Sequence, residues 1–210
     1  MTVLETAADL LASRWGTAVA VHEVFVDHGD RAVIRSLDPV GRPVVIKADR
    51  DASRLRLEAR ALAAALEANV PVPTVYERLD GSPAILVMDC IEGQALTSAS
   101  RYEQWRAVGR QLRRLHDHAS PEGLPVFGGG DTCDLAVLTL WDRDRLPAVL
   151  DGYGIDGAMR DHLETLLMPY TVVRHLLAIR WLVEHGFDPT PTVTELNRLA
   201  SLLAPGAPPR

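Results

Sequence analysis

The 210-residue sequence predicts an α+β fold in two parts: an N-terminal helix, a five-stranded antiparallel sheet and one packed helix over 1–95, then a reduced all-α part over 96–210. Two observations carry this. Alternation of apolar and polar residues, the mark of half-buried strands, is confined to the first hundred positions, and beyond Ser100 only helical spacing recurs. The order β-β-β-α-β-β in the first part is that of a small antiparallel sheet with a helix laid against it.

Three strings have the capping-box form Ser/Thr-x-x-Glu: Thr2 with Glu5, Ser100 with Glu103, and Thr192 with Glu195. In each, the hydroxyl can accept from the third helical amide while the carboxylate reaches back, so helices are expected over about 3–14, 101–118 and 193–203. Between the first two, residues 18–26 and 31–37 read as strands around the turn Asp27-His28-Gly29-Asp30, and a third strand at 43–48 follows the turn Asp38 to Arg42. A helix of about 52–68 places Leu55, Ala59, Leu62 and Leu66 on one face and is ended by Pro71 and Pro73. Strands at 74–79 and 84–89 then flank Asp80-Gly81. In the second part, Trp105, Val108, Leu112 and Leu115 fall at helical spacing, and a glycine-bearing loop follows over 119–131. Further helices are predicted near 132–140, 143–151 and 156–185, the last with a bend at Pro169, before a proline-rich tail at 204–210 that frays. Trp15, Trp105, Trp141 and Trp181 are expected as core anchors.

Twenty-two Lys and Arg against 28 Asp and Glu leave a net charge of −6. That balance excludes nucleic acid and an anionic membrane as partners, because binding to either needs clustered basic residues. Hydrophobic residues at 47% and charged ones at 24% are ordinary for a globular chain with a real core. Cys90 and Cys133 form no CxxC pair, which argues against a disulfide framework or zinc site and fits a reducing cytoplasm. Glu5 and Asp9 interrupt the apolar N-terminus, so it is no signal peptide, and no run of 18 apolar residues follows. A soluble cytoplasmic protein is expected.

Lys47 ends the apolar run Val44-Val45-Ile46, and Glu58 lies in the middle of the next helix. A lysine so placed buries its stem and offers its ammonium at an edge, where a carboxylate from the adjacent helix can aim it at a phosphate. Nucleotide kinases use that pairing, with the lysine on the α- and β-phosphates. The strand Ile85 to Asp89 leaves through Cys90, Ile91 and Glu92 to Gly93, a hinge whose backbone groups at Asp89, Cys90 and Ile91 can read an adenine edge while Met88 lines the pocket. These six residues, Lys47, Glu58, Met88, Asp89, Cys90 and Ile91, are the candidate nucleotide site.

These motifs, together with Val72-Pro73, Leu112-Arg113-Arg114-Leu115-His116 and Gly130-Asp131-Thr132-Cys133-Asp134-Leu135-Ala136, resemble the aminoglycoside phosphotransferase family over nearly the whole chain. The resemblance implies a bilobal, protein-kinase-like fold, with 1–95 as the N-lobe. It also implies a piece that is missing. Members carry a catalytic loop, His-Gly-Asp-x-x-x-x-Asn, and a later Ile-Asp on a strand, which orient the attacking hydroxyl and hold magnesium. Here Leu115-His116 runs through Pro121 to Gly130 straight into Asp131 and Asp134, with neither element between. The string His28-Gly29-Asp30 spells the catalytic tripeptide but lies in the first hairpin, ahead of Lys47, and no Asn follows at the motif's spacing. It reads as a turn in which Gly29 supplies positive φ and Asp30 repels a triphosphate.

No catalytic and no metal-binding residue is therefore assigned. Asp131 and Asp134 are the only candidates to replace the metal ligands, and capping of the helix that opens near Thr132 explains them better. His116, His118, His162, His175 and His185 have no metal-ligand spacing and read as surface or helix-end histidines. Ser36, Ser120 and Cys133 lack a nucleophile-elbow context. The expected function is that of a pseudokinase, a bacterial accessory, scaffold or ligand-binding protein in natural-product biosynthesis. It requires no cofactor and binds ATP weakly, since the phosphates lose their magnesium counter-charge. A protein partner or a second copy of the chain is expected to cover the cleft that the deletion opens, or else a small-molecule or peptide ligand. The alternative is a small-molecule phosphotransferase whose missing groups come from Asp131, Asp134 or a partner.

Overall fold

The computed structural model describes residues 1–97, 99–118, 138, 140 and 143–203. The chain divides into two compact units, Met1–Ala95 and Leu96–Arg210.

The first unit opens with α1, Val3–Trp15. Its predicted capping box is complete: the Thr2 amide donates to Glu5 Oε2 at 2.7 Å and the Glu5 amide to Thr2 Oγ1 at 3.1 Å. The helix ends at Gly16, whose φ of 70° is left-handed territory open to glycine. Strands β1 (Glu23–Asp27), β2 (Arg31–Leu37) and β3 (Pro43–Asp49) precede α2 (Ala52–Glu67), and β4 (Val75–Leu79) and β5 (Ala84–Asp89) follow it. The first strand is shorter than its alternation suggests, starting at Glu23 rather than 18. All neighbours pair antiparallel in the order β1-β2-β3-β5-β4. Chain reversal between β1 and β2 uses Gly29 at a φ of 79°, as the turn residues require.

The sheet has a helix core on each face. Val44, Ile46 and Ala48 of β3 join Ala32, Ile34, Ile85 and Val87 under Val3, Ala7 and Leu11 of α1. Leu86 and Met88 of β5, with Ala84, pack on the other face with Leu55 of α2, and Val45, Ala59 and Leu62 close around them. Two packed faces explain why β5 is buried along almost its whole length and reads as a continuous apolar run. The expected stripe on α2 fails at one position. Leu66 is 60% exposed, because the helix buries Ala64 and Ala65 there instead. Asp51 caps α2 by accepting from the Ser53 amide at 3.0 Å.

In the second unit, α3 (Tyr102–His118) is followed by a 3₁₀ turn at Arg143–Arg145 and by α4 (Leu146–Tyr153), α5 (Gly157–Glu184) and α6 (Thr190–Leu203). Two of the predicted capping boxes do not form. Ser100 Oγ accepts from the Thr97 amide instead of capping α3, and Gln104 Oε1 reaches back to the Arg101 amide at 2.8 Å. Helix α6 begins before Thr192, which is buried at 1% exposure. Asp188 takes the Thr190 amide at 2.9 Å, and Pro191 sits in the first turn, where its missing donor is harmless. Helix α5 continues through Pro169. The predicted loop at 119–131, helix at 132–140 and tail at 204–210, together with Trp141, Cys133 and the His162 side chain, lie outside the described residues, Leu138 and Leu140 of that helix excepted. Among the described residues no strand follows Ser100, and no helix is long and apolar enough to cross a membrane.

Helices α3 and α4 meet at two glycines. A Cβ on Gly109 would fall 2.0 Å from the Val149 carbonyl oxygen, and one on Gly152 would fall 1.9 Å from the Arg106 carbonyl oxygen. The two backbones are therefore in direct contact, each glycine making room for the other helix. Around this crossing pack Trp105, Leu146, Val149, Leu150, Tyr153 and Leu167. Of the tryptophans, Trp105 is a core anchor at 6% exposure, whereas Trp181 is 44% exposed and stacks on His185 and Phe187. His175 also differs from its predicted surface place, being fully buried in α5.

Two outcomes follow from this packing. Gly109→Ala and Gly152→Ala should each destabilise the protein by about 3 kcal/mol in denaturant unfolding, since the clash is with backbone, whereas Gly157→Ala, with open space around it, should leave stability unchanged or slightly higher. Burial pushes the His175 pKa down, against an opposing pull from Glu195. A base with a lowered folded pKa takes up a proton more readily when unfolded. Stability should thus be full above about pH 6.5 and fall below it, and His175→Gln should flatten that slope in melting curves taken across pH.

Candidate functional site

The period-two alternation of β3 decides which face Lys47 joins. Even positions Val44, Ile46 and Ala48 go under α1, so Lys47, opposite Val33 on β2 and Leu86 on β5, goes to the α2 face with Val45. There its ammonium donates to Glu58 Oε1, one helical turn beyond the buried Leu55. The two side chains keep 22% and 28% of their surface exposed. The pair is therefore half-sheltered and not sealed into the core.

Carboxylates gather at the start of α2. Asp49, buried at 1%, accepts from the Asp51 amide at 2.8 Å, and Arg54 lies 3.6 Å from Asp49, 3.5 Å from Asp51 and 3.8 Å from Asp30 of the first hairpin. Asp30 thus sits in a turn tied to α2 by Arg54.

The hinge strand has less free backbone than its sequence suggests. The Asp89 amide donates to the Thr74 carbonyl at 2.9 Å and the Cys90 amide to the Pro43 carbonyl at 3.4 Å. Asp89 also accepts from the Tyr76 hydroxyl and from the Thr74 amide. The Tyr76 hydroxyl, then Thr74, hold the Asp89 carboxyl below the usual carboxylate range, and the same contact pushes the Tyr76 phenol up. Met88 is 3% exposed and packs among Leu55, Ala84 and Leu86, on the face that carries Lys47. Cys90 is a half-buried free thiol, and Ile91 is 62% exposed.

The structure thus brings Lys47 and Glu58 together and sets Met88 on their face, while Asp89, Cys90 and Ile91 form the strand exit. Asp131 and Asp134 lie outside the described residues. In the second unit, sequence reasoning missed a polar cluster on α3 and α4. The Tyr102 hydroxyl donates to Asp151 at 2.5 Å, Arg160 pairs with Asp151, and His116 Nδ1 lies 2.7 Å from the Tyr153 hydroxyl. Hydrogen bonds from Tyr102 and then Arg160 lower the Asp151 pKa. Only the Leu112 to His116 motif hinted at this place, through His116. Among the described residues no three His, Cys, Asp or Glu side chains gather as a metal site.

A double-mutant cycle measures the Lys47 pair. Lys47→Met and Glu58→Leu should each lower stability by about 1 kcal/mol, and the double variant should recover most of the loss, because each single change strands a partly buried charge. Urea unfolding of the four proteins reads the coupling.

Residues 23–151 match the family model of the phosphotransferase enzyme family. No curated protein matches the chain. Among solved structures, a candidate fructosamine-3-kinase from Thermobifida fusca aligns at 14% identity and a TM-score of 0.58, covering 95% of this chain and 99% of that one. A second candidate fructosamine-3-kinase, from Haemophilus somnus, aligns at 19% identity and a TM-score of 0.40 over 57% of this chain and 41% of its own. A macrolide 2′-phosphotransferase from Brachybacterium faecium aligns at 19% identity and a TM-score of 0.42 over 65% of this chain and 52% of its own. This chain therefore spans about half the length of the last two. At these identities the likeness shows the fold, which is α+β and protein-kinase-like. The family follows from the sequence model, which takes in the lysine strand, α2, the hinge and α3 to α4: the chain belongs to the phosphotransferase enzyme family.

Proposed function

We propose that the chain is a phosphotransferase-family pseudokinase, an accessory, scaffold or ligand-binding protein that keeps the nucleotide-side lysine and has given up phosphoryl transfer. One observation carries the reading. Between Leu115-His116 and Gly130-Asp131 the sequence holds neither a His-Gly-Asp loop with its Asn nor a strand ending in Ile-Asp. In phosphoryl transfer nearly all the catalysis is positioning and electrostatics, so losing the base and the magnesium ligands together removes orders of magnitude in rate.

The residues that remain fit a nucleotide loosely. Lys47, aimed by Glu58 and partly exposed, would meet the α- and β-phosphates. The Asp89 and Cys90 amides are already paired with protein carbonyls, so the amide left at the hinge for an adenine edge is that of Ile91. Magnesium, where present, neutralises phosphate charge; without it Lys47 alone opposes a triphosphate, and affinity is weak. A protein partner or second copy would cover the surface exposed by loss of the catalytic segment, in the role of an accessory to a biosynthetic enzyme.

Family membership favours the other reading, a small-molecule phosphotransferase whose missing groups come from Asp131, Asp134 or a partner. ATP turnover separates the two. The pseudokinase should release ADP at the buffer rate with magnesium and a broad panel of hydroxylated acceptors. Millimolar ATP should raise its melting temperature by no more than a degree or two, a shift that disappears in Lys47→Ala. Magnesium-dependent turnover abolished by Lys47→Ala would overturn the proposal in favour of the enzyme.

A further inference from the structure

On the face of the sheet opposite Lys47, a half-open cavity of about 500 Å³ lies between the end of α1, the β2–β3 turn and β4. Arg14, Trp15, Arg42 and Tyr76 are among its walls, together with the carboxylates Asp38 and Glu77. Its charges are arranged unequally in what they leave available. Both oxygens of Glu77 are taken, by Arg14 Nε at 2.9 Å and by the Trp15 indole at 3.0 Å. Asp38 is engaged too: Oδ1 accepts from the Val40 and Arg42 amides at 3.0 and 2.8 Å, and Oδ2 from Arg42 Nε at 2.7 Å.

Each guanidinium is thereby gripped through Nε, and the terminal nitrogens of Arg14 and Arg42 make no hydrogen bond to another described residue. Arg42 is further flattened against the Tyr76 ring, 4.4 Å from its centroid. The four lining charges cancel, both carboxylates are already engaged by protein donors, and the free guanidinium edges stand as oriented donors beside flat aromatic walls at Trp15 and Tyr76. Such a site complements a ligand that brings its own acceptors and a flat apolar body, because paired guanidinium N–H groups match a carboxylate or phosphate.

We infer that this cavity binds a small organic anion, an aryl or similarly flat compound bearing one carboxylate or phosphate group, held between Arg14 and Arg42 and stacked beside Trp15 and Tyr76. The site is separate from any nucleotide contact at Lys47, which leaves the sheet on the other face.

Calorimetric titration of the full chain at low salt with benzoate, phenyl phosphate, inorganic phosphate and benzyl alcohol tests this. At least one of the first two should bind saturably at one site, tenfold or more tighter than inorganic phosphate or benzyl alcohol, and which of them is tighter identifies the anionic group. Arg14→Gln and Arg42→Gln should each weaken it about tenfold or more, with Lys47→Ala as a control that retains it. In the unaltered protein, the Trp15 indole N–H resonance, assigned through Trp15→Phe, should shift with the same saturation curve, which keeps the test independent of how the arginine variants fold. Absence of saturable binding by both aryl anions overturns the proposal. So does binding that survives the double Arg14→Gln/Arg42→Gln variant, that leaves the Trp15 resonance still, or that is lost in Lys47→Ala.

Discussion

Strand β3 has two faces, each covered by a helix, and the first unit depends on that constraint. With Val44, Ile46 and Ala48 committed to the α1 core, Lys47 can only point toward α2, where Leu55, Ala59 and Leu62 hold the helix down and Glu58 is the carboxylate in reach. A slip of one residue in the pairing of β3 would bury the lysine under α1 and turn Val44, Ile46 and Ala48 toward α2, so the register is strongly specified. The same alternation sends Val87 of β5 toward α1 and into the wall of the arginine-lined cavity, while Leu86 and Met88 face α2. One sheet thus carries the Lys47–Glu58 pair on one side and the arginine-lined cavity on the other.

The second unit rests on a different constraint. Its crossing of α3 and α4 is set by backbone contact at Gly109 and Gly152, a distance that no side chain would permit. The close approach lets the polar residues of these helices meet: Tyr102 reaches Asp151, and His116 reaches Tyr153. Asp151 then also receives Arg160 from the start of α5.

The functional reading joins these constraints. The Lys47–Glu58 pair is the kind of arrangement kinases use to hold phosphates, and it survives in a chain that belongs to the phosphotransferase enzyme family. Between His116 and Gly130 the sequence holds neither a His-Gly-Asp loop with its Asn nor an Ile-Asp, and the proposed pseudokinase reading rests on that. On the proposed reading, binding energy kept without transition-state contacts would make the chain a receptor rather than a catalyst.

The sequence by itself determined the sheet strands, α1 and α2 to within a few residues, because their signals are local: the period of two on β3, the capping box at Thr2 and the helical spacing of α2 each act over short range, whereas the Lys47–Glu58 contact also needs α2 docked on the sheet. That no His-Gly-Asp-x-x-x-x-Asn string stands between His116 and Gly130 is likewise a matter of order along the chain. The tertiary structure alone decided what depends on distant partners. The capping boxes predicted at Ser100 and Thr192 did not form; at those helix starts Gln104 takes the Arg101 amide and Asp188 the Thr190 amide instead. Leu66 and Trp181 face outward, though their spacing reads as core, because among the described residues no element packs over them. His175 went inside. Gly109 and Gly152 look like ordinary helix-weakening glycines until two backbones meet over them. Arg14, Asp38, Arg42 and Glu77 are scattered over more than sixty positions and become a cavity only when α1 lies across the end of the sheet. Local propensity is written residue by residue, whereas a shared amide, a helix crossing or a cavity wall requires knowing which remote segment arrives.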